Sequence, residues 1–187
     1  RGIGAFFGFG LMALASRLDP RVSLTIAFSL QGISGLYMAS FNIDMTFSQV
    51  AWAGIIQGIG VGMAWVPISV LTFSTLDKRY FGEGTAMYHL IRNVASSFFI
   101  SITVAVVLHT GQISFGNLSS LVTDWNTGLA LNFTDQFIEN FDKVTIKNLT
   151  AEVNRQSLMI GYINSFMLFA IVSFLTIPFL FLIKEKK

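Results

Sequence analysis

One guanidinium stands in an otherwise uncharged apolar stretch: Arg92, the sole charge within residues 84–110. On a helix it lies about 12 Å along the axis from Gly84 at 1.5 Å per residue. A cation that deep in hydrocarbon costs about 2.5 kcal/mol or more unless it is paired or hydrated. At 100° per residue, His89, Arg92, Asn93, Ser96 and Thr103 share one arc of roughly 100°. A lipid-facing helix has no use for such a stripe, so it faces a water-filled cavity or polar neighbouring helices. The chemistry it offers is a cavity-lining cation that binds substrate or responds to a nearby acid. Two structural alternatives stand beside it: snorkelling of the side chain to the surface, or a pair with a carboxylate elsewhere. His89 could titrate near neutrality or serve as a hydrogen-bonded packing residue. Gln57 and Gln31 add amides in apolar surroundings, and Tyr162, Asn164 and Ser165 add hydrogen-bonding groups to the last apolar stretch. Trp65, like Trp52, suits either packing or a cavity wall for flat apolar ligands.

What is missing narrows the chemistry further. No Asp or Glu falls inside an apolar stretch, so a proton-accepting carboxylate within the membrane is expected in another segment. There is no cysteine, and the two histidines do not make a metal site by themselves. No nucleophile, base and oxyanion-hole set is present, so the expectation is a protein without enzymatic activity, metal or cofactor. A net charge of +2 with no long basic run gives no reason to expect a nucleic-acid partner.

The elements that position these residues follow from composition. Of 187 residues, 53% are hydrophobic and only 12% charged, with nineteen phenylalanines; the mean hydropathy is +0.65. That charged fraction is about half of what a soluble domain carries. Five apolar stretches, at about 2–16, 22–41, 50–73, 84–110 and 158–183, predict an all-α integral membrane protein with five transmembrane helices, because hydrocarbon leaves no unpaired backbone groups. The alternating ten-residue segments of a membrane barrel are not seen. The first stretch is short and opens on Arg1, so the chain is expected to begin inside or at the edge of a helix of a longer polypeptide. Arg17 and Arg21, Lys78 and Arg79, and Lys184, Lys186 and Lys187 occupy alternate connections and the tail. These are expected on the cytoplasmic side, with residues 158–187 forming the last helix and a cytoplasmic C-terminus. Residues 111–157 then form a long extracytoplasmic loop, with short helices conceivable at 135–141 and 150–157.

Glycine spacing suggests how the helices pack. Gly54, Gly58 and Gly62 recur every fourth residue, as do Gly4 and Gly8. Such faces let two backbones approach closely in a membrane, whether for plain packing or for a pair that rocks during transport. Pro67 lies deep in the third stretch and removes a backbone hydrogen bond to Met63, giving a kink or a gating hinge. Pro178 does the same in the last stretch.

These residues resemble the C-terminal part of the EmrB/QacA-type, fourteen-helix branch of the major facilitator superfamily. Arg1-Gly2-Ile3-Gly4 resembles an Arg-Gly-x-Gly that opens a late helix. Arg17-Leu18-Asp19-Pro20-Arg21 is similar to the following cytoplasmic loop, which commonly ends in Asp-Pro-Arg. Gln57-Gly58-Ile59-Gly60-Val61-Gly62 with Pro67 resembles a Gly-rich helix ending in Pro. Gly84-Thr85-Ala86 followed by Leu90-Ile91-Arg92-Asn93 and Ser97 resembles the Arg-Asn motif of the penultimate helix. The chain departs from the family at Ala95 and Phe98, where glycine is frequent, and at Asn164-Ser165-Phe166, where Asn-Asp before an aromatic is frequent. The resemblance covers nearly everything except 111–157. It implies the C-terminal part of a major facilitator fold in a bacterial inner membrane. It also implies proton-coupled efflux of amphipathic small molecules by alternating access, completed by N-terminal helices outside this stretch. A periplasmic adaptor protein is an implied partner, with 111–157 as its contact. Export of a specific metabolite such as a siderophore or fatty acid, or a non-transporting membrane scaffold, would use the same helices.

Overall fold

The computed structural model describes residues 1–14, 19–74, 76–121 and 143–182. Five α-helices make up nearly all of them: α1 (Gly2–Leu14), α2 (Pro20–Ala39), α3 (Phe47–Phe73), α4 (Phe81–Leu121) and α5 (Lys143–Leu182), with a 3₁₀ turn (Lys78–Tyr80) before α4. No strand occurs among the described residues. Four of the helices, α2 to α5, are long and apolar enough to cross a membrane; α1 is apolar but shorter than a span. The fold is therefore all-helical and of membrane type, with four such helices and a short first one, as the short first apolar stretch leads one to expect.

Local chemistry explains where helices start. Pro20 occupies the first turn of α2, where its fixed φ suits a helix and its missing N–H costs nothing. The helix accordingly begins ahead of the expected residue 22. At α3 the Gln49 carboxamide oxygen accepts the Thr46 backbone N–H at 2.9 Å. This is half of a capping box, and it moves the start ahead of residue 50. Asp77 Oδ1 accepts the Arg79 backbone N–H at 3.3 Å and opens the 3₁₀ turn. The larger difference is in 111–157. Residues 111–121 continue α4, and α5 already runs from Lys143, with 150–157 inside it and not a separate helix. At 1.5 Å per residue each of these two helices is about 60 Å long, twice the hydrocarbon thickness. Apolar length gives the minimum helix, whereas backbone hydrogen bonding continues into polar sequence where no breaker intervenes. The rest of the expected loop, including 135–141, lies outside the described residues.

Two compact units result, Arg1–Ser101 with Phe166–Lys187, and Ile102–Ser165. In the first, Leu24 and Ala27 of α2, Met63 and Ala64 of α3 and Leu180 of α5 form a buried cluster. Small polar residues tie the helices: buried Ser34 donates from Oγ to the Ala53 carbonyl at 2.9 Å. The outward faces are apolar, with Phe6 78% and Phe98 64% exposed. Water would not tolerate so much contiguous apolar surface, and lipid does. In the second unit α4 and α5 approach closely where a side chain on Gly161 would meet the Val107 carbonyl. Ser165 Oγ donates there to the Thr103 carbonyl at 3.4 Å.

Candidate functional site

A short 3₁₀ turn joins the end of α3 to the beginning of α4, and side chains of the two helices meet beyond it. The seam starts with aromatics in tilted and edge-on contact. Phe73 lies 5.1 Å from Phe81 and 5.7 Å from Tyr88, centroid to centroid. Phe73 and Trp65 are two turns apart on α3, and Tyr88 and Arg92 one turn apart on α4. Farther from the turn the Arg92 guanidinium carbon sits 4.3 Å from the Trp65 ring centroid. The heights agree. Arg92 lies about 16 Å from the start of α4 and Trp65 about 12 Å from the end of α3. A helical side chain leans toward its own N-terminus, which brings the guanidinium down to the level of the ring.

Electrostatics makes the pairing informative. Among the described residues the sole ion pair joins Arg155 to Glu152, at 3.1 Å on the surface of α5. Arg92 has no carboxylate partner there, which leaves the indole face as its observed contact. A cation over an indole is stabilised by about 0.5–2 kcal/mol, more as water is excluded. That offsets only part of the cost of placing a guanidinium in hydrocarbon. The N–H edges of Arg92 still call for water, an anion or a polar ligand.

His89, Asn93 and Ser96 are exposed on α4 within about a turn of Arg92, and Thr103, exposed as well, lies farther along the helix in the second unit. His89 packs its ring 5.5 Å from that of Tyr88, and no metal-binding group of His, Asp or Glu forms among the described residues. The Asn93 carbonyl accepts from Ser97 Oγ at 3.1 Å. Gln57 is half-buried on α3, and no described hydrogen bond joins it to Arg92. Of the packing residues, Gly4 and Gly8 of α1 meet Gly58 and Gly62 of α3 backbone to backbone, whereas Gly54 lies at the margin of that contact. Pro67 is fully buried, so the irregularity it imposes faces helices and not lipid. Sequence reasoning left Trp65 without a partner. Sequence spacing does not single out the pair, because the residue that matches Trp65 across the 74–80 connection is His89 and not Arg92.

The arrangement yields a prediction about water. This chain contains no cysteine. In the full-length protein freed of other cysteines, Ser96→Cys should react with a water-soluble thiol reagent, because reaction needs the thiolate and hence water. Val94→Cys, on the opposite side of α4, should stay unlabelled. Equal labelling of the two positions would remove the case for a hydrated arc.

Comparison with known proteins points in one direction. No protein-family model matches the chain, and no solved structure does. The chain is similar to Multidrug export protein EmrB of Haemophilus influenzae, 24% identical over 149 residues, which is 78% of this chain and 29% of that protein. It is similar to Fatty acid resistance protein FarB of Neisseria gonorrhoeae, 21% identical over 172 residues, 90% of this chain and 34% of that protein. Against Multidrug export protein EmrB of Escherichia coli K12 the identity is 26% over 113 residues, 60% of this chain and 22% of that protein. The chain thus spans about a third or less of the length of the curated relatives it matches.

Proposed function

From this relation to EmrB-type exporters we infer that the chain is part of a secondary active transporter that expels amphipathic compounds across a bacterial inner membrane. The carrying observation is the α4 arc: a cation held on an indole, with exposed His89, Asn93 and Ser96 beside it. In the complete protein this arc lines the cytoplasmic half of a central cavity, and the C-terminus is cytoplasmic. The close contact of α1 with α3 lets that pair rock as one body during alternating access. Proton coupling depends on a carboxylate elsewhere in the complete protein, because the apolar stretches at 2–16, 22–41, 50–73, 84–110 and 158–183 hold none. The name of the gonococcal relative, a fatty acid resistance protein, supports a second reading of the cargo as a fatty acid, which is also amphipathic.

Transport by the full-length protein in vesicles tests the proposal. A fluorescent amphipathic dye should cross faster under an imposed proton gradient and slow when nigericin collapses it. A rate equal to that of empty vesicles, with and without the gradient, would overturn the transporter reading.

A further inference from the structure

We propose that Trp65 is a specificity-determining positioning residue that holds the Arg92 guanidinium inside the cavity and keeps it from swinging toward the membrane surface. The inference rests on the transporter reading for its biological meaning, though not for its test. Three observations support it. The guanidinium lies over the ring face at 4.3 Å. Trp65 is 45% exposed, so its ring is a surface offered to α4 and not a buried core residue. An aromatic seam, Phe73 with Phe81 and Tyr88, lies on the turn side of Trp65, toward Lys78 and Arg79. An arginine covered on one face by an indole has lost rotamer freedom and keeps its N–H edges free. It therefore presents a fixed donor edge to a polar or anionic ligand group. Without the ring, the same side chain is long and flexible enough to snorkel.

The local charge at Arg92 can be read without transport. Ser96 lies one turn from Arg92 on the same face of α4, within reach of its field. In the full-length protein freed of other cysteines and carrying Ser96→Cys, the rate of modification is measured with the anionic sulfonatoethyl methanethiosulfonate and with its cationic trimethylammonium counterpart. A nearby fixed cation accelerates the first and slows the second. Their ratio should fall about tenfold on Arg92→Gln, the size expected when one unit charge acts with opposite sign on the two reagents across partly hydrated space. Lys78, Arg79, Glu83 and His89 contribute equally to every variant and cancel in the comparison.

Trp65→Leu should lower the ratio to the Arg92→Gln value, and Trp65→Phe, which keeps a ring face, should hold it within about twofold of the parent. Adding Trp65→Leu to Arg92→Gln should then change nothing further. Trp65→Met serves as the second non-aromatic variant should the Leu protein not accumulate. An unchanged ratio in the Leu or Met variant, or the same fall in Phe as in Leu, would overturn the proposal. In dye transport the Leu variant should raise the apparent KM with little change in maximal rate, and the Phe variant should restore it. A protein that shows the ratio pattern yet moves no dye would overturn the proposed function alone.

Discussion

Replacing Arg92 with alanine in the full-length protein is expected to reduce dye efflux at least about tenfold while leaving the amount of protein in the membrane unchanged. Tenfold corresponds to about 1.4 kcal/mol, at the low end of the roughly 1.5–3 kcal/mol carried by a hydrogen bond to a charged group. The protein should still fold, because Arg92 is exposed in the described structure and no ion pair is broken by removing it. Removal also relieves hydrocarbon of a costly group. Arg92→Lys should fall between the two, since an ammonium keeps the charge but lacks the planar face that lies on Trp65. The measurement is efflux from dye-loaded cells, normalised to the variant's amount by immunoblot. Wild-type efflux in Arg92→Ala would end the cavity assignment.

The other large effect concerns the α1–α3 contact. A methyl group placed on Gly58 would lie 2.8 Å from the Ala5 backbone nitrogen and 3.0 Å from the Gly4 Cα. It would also run into the Arg1 carbonyl. These atoms are backbone and do not turn aside as a side chain would, so the two helices must separate along their contact. Within a membrane that contact is held by dispersion at close range and weak hydrogen bonds, which fade over fractions of an ångström. Gly58→Ala is expected to cost about 1–3 kcal/mol, the range for overpacking, and Gly58→Leu more. Gly54 is the internal control. It shares the same face of α3, yet its nearest foreign atom would be the Arg1 nitrogen at 3.5 Å, an ordinary contact. Thermal unfolding of the detergent-solubilised full-length protein should show a clear loss for Gly58→Ala and almost none for Gly54→Ala. Equal melting temperatures would mean that α1 and α3 do not meet as described.

The contrast between Gly54 and Gly58 shows what sequence can and cannot convey. The fourfold spacing of Gly54, Gly58 and Gly62 marks a face suited to close packing, because helical geometry alone puts those residues in line. Where along that face the partner crosses depends on α1, and the crossing falls on Gly58 and Gly62. Gly60, on another side of α3, meets the Ala27 carbonyl of α2 and carries no spacing signal of its own. Gly161 is similar, a single small residue whose importance comes from Val107 on another helix.

Membrane character, helical class and the polar arc on α4 were legible in residues alone, because hydrocarbon admits few backbone solutions and charges a high cost for a lone guanidinium. The resemblance to EmrB-type exporters was read from short motifs such as Arg92-Asn93 and the Gly-rich helix, and the similarity found by comparison is low, 24% to the Haemophilus influenzae protein. Helix ends were not legible beyond the apolar stretches. Polar sequence continues a helix as readily as it forms a loop, as α4 does to Leu121 and α5 does from Lys143. The partner of Arg92 was decided only in three dimensions. A charge needs compensation somewhere, but whether water, a carboxylate or the face of Trp65 supplies it depends on how two helices meet across a turn, and that is set by packing between them and not by either helix alone.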